Sequence, residues 1–379
     1  MPWKAVSAMS LRLEFVHLAM NDTANIRSLC RRYEISPRTA YKWIDRYHGY
    51  GVDGLGDRSR RPHHSPSQTA EAVEQVILRL RKKRPAWGAR KLRHRLLAQG
   101  HRDLPSISTI TAILRRHGCI DPVQTKKHQP CQRFEAPGPN LLWQMDFKGD
   151  FALLHGRCYP LTILDDHSRF ALGLVACSNQ RLETVQQHLT ATFRRYGLPQ
   201  RLLTDNGGPW GSCGHDAYTE FDLWMIRLRI GRSHSRICHP QTLGKDERFH
   251  RTMMDEIITT HSFTSTEHCQ QYFDRWRTVY NVERPHEALA MDVPTSRYRP
   301  SPREYPETLP PITYSADDIV RKVGDHGEIS FHGIEFKIGK AFHGYPVALR
   351  PTTSDGLYNV FFCHEQIAQI NLNNDIHQL

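Results

Sequence analysis

Apolar residues recur at helical spacing through the first third of the chain and in short strand-like runs after it. Between residues 10 and 47 the set Ile26, Leu29, Ile35, Ala40, Tyr41 and Ile44 predicts one inward face shared by short helices around a tight turn. Ser36 reads as an N-cap with Pro37 at the first helical position. Glycines from Gly49 to Gly56, then the arginines and proline from Arg58 to Pro62, break that pattern. Helical spacing returns over residues 66–118: Trp87-Gly-Ala-Arg-Lys-Leu92 opens one helix, and residues 106–116 form the next around Ile110, Ile113 and Leu114.

Residues 121–139 are polar and basic with Pro122, Pro130 and Pro137, a linker composition. From Leu141 the runs 141–147, 159–164, 170–176 and 201–204 predict strands, with helices over 181–196 and from about Gly244, hence an α/β domain with a mixed sheet. Prolines crowd in after Pro294. In the tail Ile329, Phe331, Phe336 and Ile338 alternate, and Ser354-Asp355-Gly356 marks a turn, as in a small β-barrel.

Charge adds a partner to this outline. The 379 residues carry 51 Lys and Arg against 39 Asp and Glu, a formal +12. Residues 1–140 hold 26 basic and 11 acidic side chains, whereas 141–379 hold 25 and 28. Clustered Lys and Arg release counterions from a phosphate backbone, so a polyanion on the first third is expected. Arg38, Thr39 and Lys42 start the outward face of one helix, and Thr109, Thr111 and Arg115 that of its second copy. Those positions let a helix-turn-helix reach a major groove. The cluster from Arg79 to Arg84 suits phosphate better than base edges.

A mean hydropathy of −0.58 predicts no membrane span. Arg12, Glu14 and His17 interrupt the apolar stretch that a signal peptide would need. Nine cysteines without a CxxC pair predict reduced cytoplasmic thiols and no cysteine-based zinc site.

Three segments of the α/β domain set acids where they can be held still. Asp146 lies inside a strand between Met145 and Phe147. Asp205 ends an apolar strand ahead of Gly207 and Gly208. Asp246 and Glu247 open a glycine-started helix. Acids on adjacent strands and a nearby helix are what two divalent cations about 3.5–4 Å apart need to activate an attacking oxygen and stabilise a leaving one. Asp165 and Asp166 read as a hairpin turn. Phe249, Met253 and Ile257 form a core stripe that leaves Asp246 along its axis and Glu247 at its edge. Periodicity therefore leaves the choice between them open.

Trp143-Gln-Met-Asp146, Leu203-Thr-Asp-Asn-Gly207 and the run from His239 to Thr252 resemble the catalytic core of retroviral integrases and related bacterial insertion-sequence transposases. The segment from Tyr280 to Leu289, with Pro294, Tyr298, Arg299-Pro-Ser301 and Tyr305-Pro306, looks like the bacterial branch. This likeness, close over residues 140–306, implies a ribonuclease H-like fold and a DDE triad at Asp146, Asp205 and Glu247 binding two Mg2+, with Mn2+ as a substitute. It also implies N-terminal helix-turn-helix domains that bind terminal inverted repeats, and an SH3-like tail. Lys245, Arg248 and Arg251, with His239 and Gln241, then become candidates for holding DNA. Between Asp205 and Glu247 lie 41 residues, more than the family's usual spacing, and a loop over 208–218 takes up the surplus. No His-His-Cys-Cys zinc module precedes the core.

The expected chain is multidomain: helix-turn-helix domains at 1–60 and 61–120 (the second winged-helix-like), a basic linker at 121–139, the core at 140–300 and a small β-barrel at 301–379. It would bind element ends and target DNA as a dimer or larger assembly on the nucleoid, cleave at the ends, and join the 3′-hydroxyls to target DNA by in-line transfer. A catalytically silent DNA-binding regulator and a nuclease of RNA–DNA hybrids are the competing readings. The three acids weigh against the first, and the two reading heads against the second.

Overall fold

The computed structural model describes residues 7–58, 68–120, 135–205, 207–211, 218–234 and 244–373. The chain divides into two compact units, residues 1–68 and 69–379.

In the first unit, helices α1 (Ala8–Ala19), α2 (Ile26–Arg32) and α3 (Pro37–Tyr50) each begin at a polar cap. The side chains of Ser7, Asn25 and Ser36 accept from the backbone N–H three residues on, which satisfies donors that a helix start leaves unpaired. Phe15, Val16, Cys30, Ala40, Trp43 and Leu55 form the core. Tyr41, expected inside, is 55% exposed, and Trp43 takes its place. At 100° per residue Trp43 shares a face with Ala40, whereas Tyr41 turns out beside Arg38 and Lys42.

The second unit opens with α4 (Glu71–Lys83), α5 (Ala89–Ala98) and α6 (Ile107–Arg116), packed on Ile77, Trp87, Leu92, Leu96, Ile110, Ile113 and Leu114. Buried Glu74 of α4 binds Arg116 and His117 at the end of α6.

A mixed sheet follows: β1 (Trp143–Phe147), β2 (Phe151–Ala152), β3 (Arg157–Asp165), β4 (Ala171–Cys177), β5 (Arg201–Thr204) and β6 (Gly231–His234). Strands run in the order β2-β3-β1-β5-β6, with β4 also paired to β3. β1 is antiparallel to β3 and parallel to β5, and β5 is parallel to β6. One face packs on α7 (Leu182–Tyr196) and α8 (Glu220–Arg227), where Trp143, Met145, Leu161 and Ile163 meet Val185, Leu189 and Phe193. The other packs on α9 (Gly244–Met253), the helical turn that continues it and α10 (Thr266–Val282) through Phe249, Met253, Ile257, Phe273 and Trp276, which bears out the expected stripe Phe249, Met253 and Ile257. The proline-rich segment then crosses the end of α7. The backbone of Ser301 comes so near Gly197 (φ +77°) that a Cβ there would lie 2.6 Å from its carbonyl oxygen.

The helical module docks on this layer. Val279 of α10 packs against the module's core, Arg84 and Arg95 both pair with Glu283 at 3.3 Å, and Arg90 pairs with Glu287 at 3.2 Å.

The tail forms β7 (Ile319–Lys322), β8 (Glu328–Phe331), β9 (Ile334–Lys337), β10 (Pro346–Pro351), β11 (Leu357–Phe362) and β12 (Glu365–Asn371). These make an antiparallel sheet β12-β11-β10-β7 and a separate β8–β9 hairpin around Phe342, Val347, Leu349, Val360 and Phe362, with Leu223 and Ile226 of α8 in the same core. Among the described residues no ladder joins hairpin to sheet, so the strands share a core without closing a barrel. Among them, too, no helix is long and apolar enough to cross a membrane.

Candidate active site

Alternation along β1 turns Trp143 and Met145 toward α7, and so turns Gln144 and Asp146 toward α9. β1 pairs with β5 in the register Trp143↔Leu202 and Gln144↔Leu203; carried two residues on, it sets Asp146 level with Asp205, just past the end of β5. Glu247 stands exposed in the first turn of α9. Burial pushes the Asp146 carboxyl up to about 7; the Asp205 charge adds to the push and Glu247 adds less, while the Phe147 amide opposes them. Three acids from two strands and a helix thus bear on one another. Among the described residues no group of three His, Cys, Asp or Glu side chains is gathered tightly enough to hold a metal ion. The donor set nonetheless suits a hard divalent cation, since all three groups offer oxygen and a cation would relieve the repulsion on Asp146.

Asp205 is held from its own loop: its Oδ1 accepts from the Gly207 amide at 3.0 Å and from the Trp210 indole N–H at 2.6 Å. On the other side of Asp146, buried His250 of α9 brings Nδ1 to 3.9 Å from the Asp146 carboxylate, with Nε2 2.8 Å from the Thr162 hydroxyl. That hydroxyl donates its hydrogen to the Asp146 carbonyl, so Nε2 is the donor to Thr162. Burial pushes His250 down to about 4, so at neutral pH its Nδ1 presents a lone pair to Asp146.

Beneath these groups lies a buried polar layer. Asp165 and Asp166 do occupy the β3–β4 turn, yet both are fully buried. Asp165 accepts from the Asn140 amide and from Ser168, and Asp166 from the Ala136 amide and the Gln144 side chain, each of the last two at 2.7 Å. Lys245, expected to hold DNA, is turned inward with Nζ 2.5 Å from Asp166, and burial pushes it down to about 8. Asp246 is wholly buried, and neither carboxyl oxygen has a hydrogen-bond partner among the described residues. Burial, then Asp146 and Asp166, hold it well above the usual carboxylate range. Arg248 and Arg251 are exposed, and His239 and Gln241 lie outside the described residues.

On the helical modules, Arg38 and Lys42 of α3 and Arg115 of α6 are exposed. The Thr39 and Thr109 hydroxyls bond the capping Ser36 and Ser106 at 2.9 Å, and the Thr111 hydroxyl turns back to the Ile107 carbonyl. Those threonines serve their own helices, while Tyr41, read as core, shares the exposed face with Arg38. In the arginine cluster Arg79, Lys82 and Lys83 point out, whereas Arg81 holds the carbonyls of Trp87 and Cys119. His250 and Trp210 were missed as site residues. The nearest sequence signals were the i, i+3 step from Glu247 to His250 and the Gly-Gly-Pro-Trp run after Asp205.

Comparison with known proteins matches residues 136–240 and 228–294 to integrase core domains, and residues 318–377 to the IS481 family transposase C-terminal domain. Residues 11–63 match a helix-turn-helix domain and residues 39–114 a homeodomain-like domain. The chain is 30% identical over 161 residues, 42% of its length and 55% of the relative's, to an insertion element IS407 uncharacterized 31.7 kDa protein from Burkholderia multivorans. It is 30% identical over 151 residues, 39% of its length and 41% of the relative's, to an insertion element IS476 uncharacterized 39.2 kDa protein from Xanthomonas euvesicatoria. The chain thus spans about half the length of the curated relatives it matches. Among solved structures, the simian T-cell lymphotropic virus intasome in complex with PP2A regulatory subunit B56 gamma aligns at 15% identity. The alignment covers 77% of this chain and 99% of that one, with a TM-score of 0.38.

Proposed function

From a chain whose domains are those of a bacterial insertion-sequence transposase with an integrase-type core, we propose that it binds the terminal inverted repeats of its element, cleaves at the element ends and joins the 3′-hydroxyls to target DNA. Asp146, Asp205 and Glu247 are its catalytic and metal-binding acids. The observation that carries this reading is the register that sets Asp146 level with Asp205, with Glu247 in the first turn of α9 near enough that both acids add to the upward push that burial gives the Asp146 carboxyl. A pair of magnesium ions, or manganese in their stead, would supply Lewis-acid polarisation of the phosphodiester and the positive charge this cluster lacks.

The chain's own residues supply position. β1 and β5 hold Asp146 and Asp205 level, so that both carboxylates would bear on one scissile bond. Neutral His250 takes no charge into the site and braces Asp146 through Thr162. Exposed Arg248 and Arg251 on α9 flank Glu247 and would grip the phosphates on either side of that bond, a task for which Lys245, committed to Asp166, is poorly turned. The exposed faces of α3 and α6 would read the duplex, and joining two ends calls for at least a dimer.

The test is strand transfer of a labelled duplex taken from the DNA flanking the reading frame, with magnesium or with chelator. Asp146→Asn and Glu247→Gln should each abolish joining while end binding persists. Joining that survives either substitution, or that survives chelation, would refute the assignment and favour a DNA-binding regulator or a metal-independent reaction.

A further inference from the structure

Trp210 packs where an indole has no need of polar chemistry, and yet it makes a polar bond. It is 1% exposed and stacks on Phe147 with ring centroids 5.4 Å apart and planes 7° apart, and the Phe221 ring of α8 lies tilted with its centroid 6.4 Å away. Phe147 follows Asp146 on β1, so the stack ties the loop after β5 to the strand that bears the first acid. From this seat the indole N–H reaches Asp205 Oδ1 at 2.6 Å, onto the same oxygen that accepts from the Gly207 amide. The loop is closed beneath it by the Gly211 amide on the Gly207 carbonyl at 2.7 Å. A Cβ at Gly207 would meet the Asp205 carboxylate at 2.9 Å, so a glycine is needed for that carboxylate to sit where it does.

A carboxylate at a strand end turns freely about its last bond unless something fixes its plane. Two N–H donors converging on one oxygen fix it, and a donor to an ionised acceptor is about twice as strong as one between neutral groups. The indole has a single donor and no acceptor, so its one polar function is spent on Asp205. We propose that Trp210 is a positioning residue: stacked on Phe147, it sets the plane of the Asp205 carboxylate relative to Asp146 and so presets both acids for a divalent cation. This rests on the proposed assignment of Asp205 as a cation ligand.

The test titrates Mn2+ alone into the full chain by calorimetry, for the parent, Asp205→Asn, Trp210→Phe, and a protein carrying benzothienylalanine at position 210. The last keeps the bicyclic shape and loses only the N–H. Loss of an orienting partner of a metal ligand typically weakens affinity by about 10–100-fold, and that drop is expected for both position-210 proteins, with the thermal unfolding midpoint in chelator unchanged for the benzothienyl protein. Joining by that protein should reach the parent's rate at saturating Mn2+ while needing proportionately more of it. Parent-like Mn2+ affinity in the benzothienyl protein, alongside a loss in Asp205→Asn, would overturn the role of Trp210 and leave the ligand assignment standing. Unchanged affinity in Asp205→Asn would overturn both.

Discussion

The surroundings of Asp246 suit its charge poorly. Fully buried, without a hydrogen-bond partner at either oxygen among the described residues, and with Asp146 and Asp166 as negative neighbours, it favours its neutral form in the folded protein. A carboxyl whose folded pKa is raised costs the protein stability as pH climbs above the ordinary carboxylate range, because the unfolded chain ionises first. Asp246→Asn should therefore leave unfolding in chelator nearly unchanged at pH 4 and shift it toward greater stability at pH 8, read as the urea midpoint. A variant no more stable than the parent at pH 8 would mean that Asp246 finds a partner in solution. The placement of single residues was legible where the strand pattern was regular, as for Asp146 inside β1 and Asp205 just past β5. Neighbouring acids on a helix were not: periodicity could not separate Asp246 from Glu247, and only the fold reveals that the former is sealed in and the latter exposed. Tyr41 and Trp43 were exchanged for a similar reason. Two aromatics two positions apart point some 200° apart on a helix, and either can serve as the core member until the neighbours are known.

Among elements, the helix pair α4 and α6 is stapled by a buried acid. Glu74 bonds Arg116 and His117, and the Arg116 guanidinium, outweighing burial, holds its carboxyl below the usual carboxylate range. A depressed carboxylate pKa gives stability that is present above the unfolded value and lost as pH falls through the folded one. Glu74→Gln should cost about 1–3 kcal/mol at pH 7, with the difference narrowing in acid. An equal cost at pH 7 and in strong acid would show that shape rather than charge matters. Strands and helices were mostly legible because their signals are local. The predicted run 201–204 is β5, and Ser106 caps α6 where its hydroxyl meets the Thr109 amide. The tail was only partly legible, since alternation over Ile329, Phe331 and Phe336 tells a strand from a helix but not which strand it pairs with, and among the described residues β8 and β9 pair only with each other.

At the scale of the second unit, arginines of a strongly basic module meet two glutamates in the chain just after α10. Arg84 and Arg95 share Glu283, and Arg90 meets Glu287. Lys91, pushed down to about 8 by burial and then by Arg284, lies in the same seam. These pairs are partly exposed, and each contributes at most about 1 kcal/mol. Glu283→Ala combined with Glu287→Ala should therefore loosen the seam without unfolding either side, read as faster amide exchange in α5 and α10 with unchanged exchange in β1 and β3. Unaltered exchange in α5 would mean that apolar packing around Val279 suffices. The order of modules along the chain was legible in composition, but this seam was not, because partners some 200 residues apart leave no pattern in either segment.

The seam makes a caliper of the second unit. With α6 and the acids on one body, the span from the base pairs that α6 would read to the bond that would be cut is set by protein rather than by searching. Five extra base pairs in that span, about half a helical turn, would carry the phosphodiester to the far side of the duplex, so an element's end would be defined by a measured length as much as by its letters.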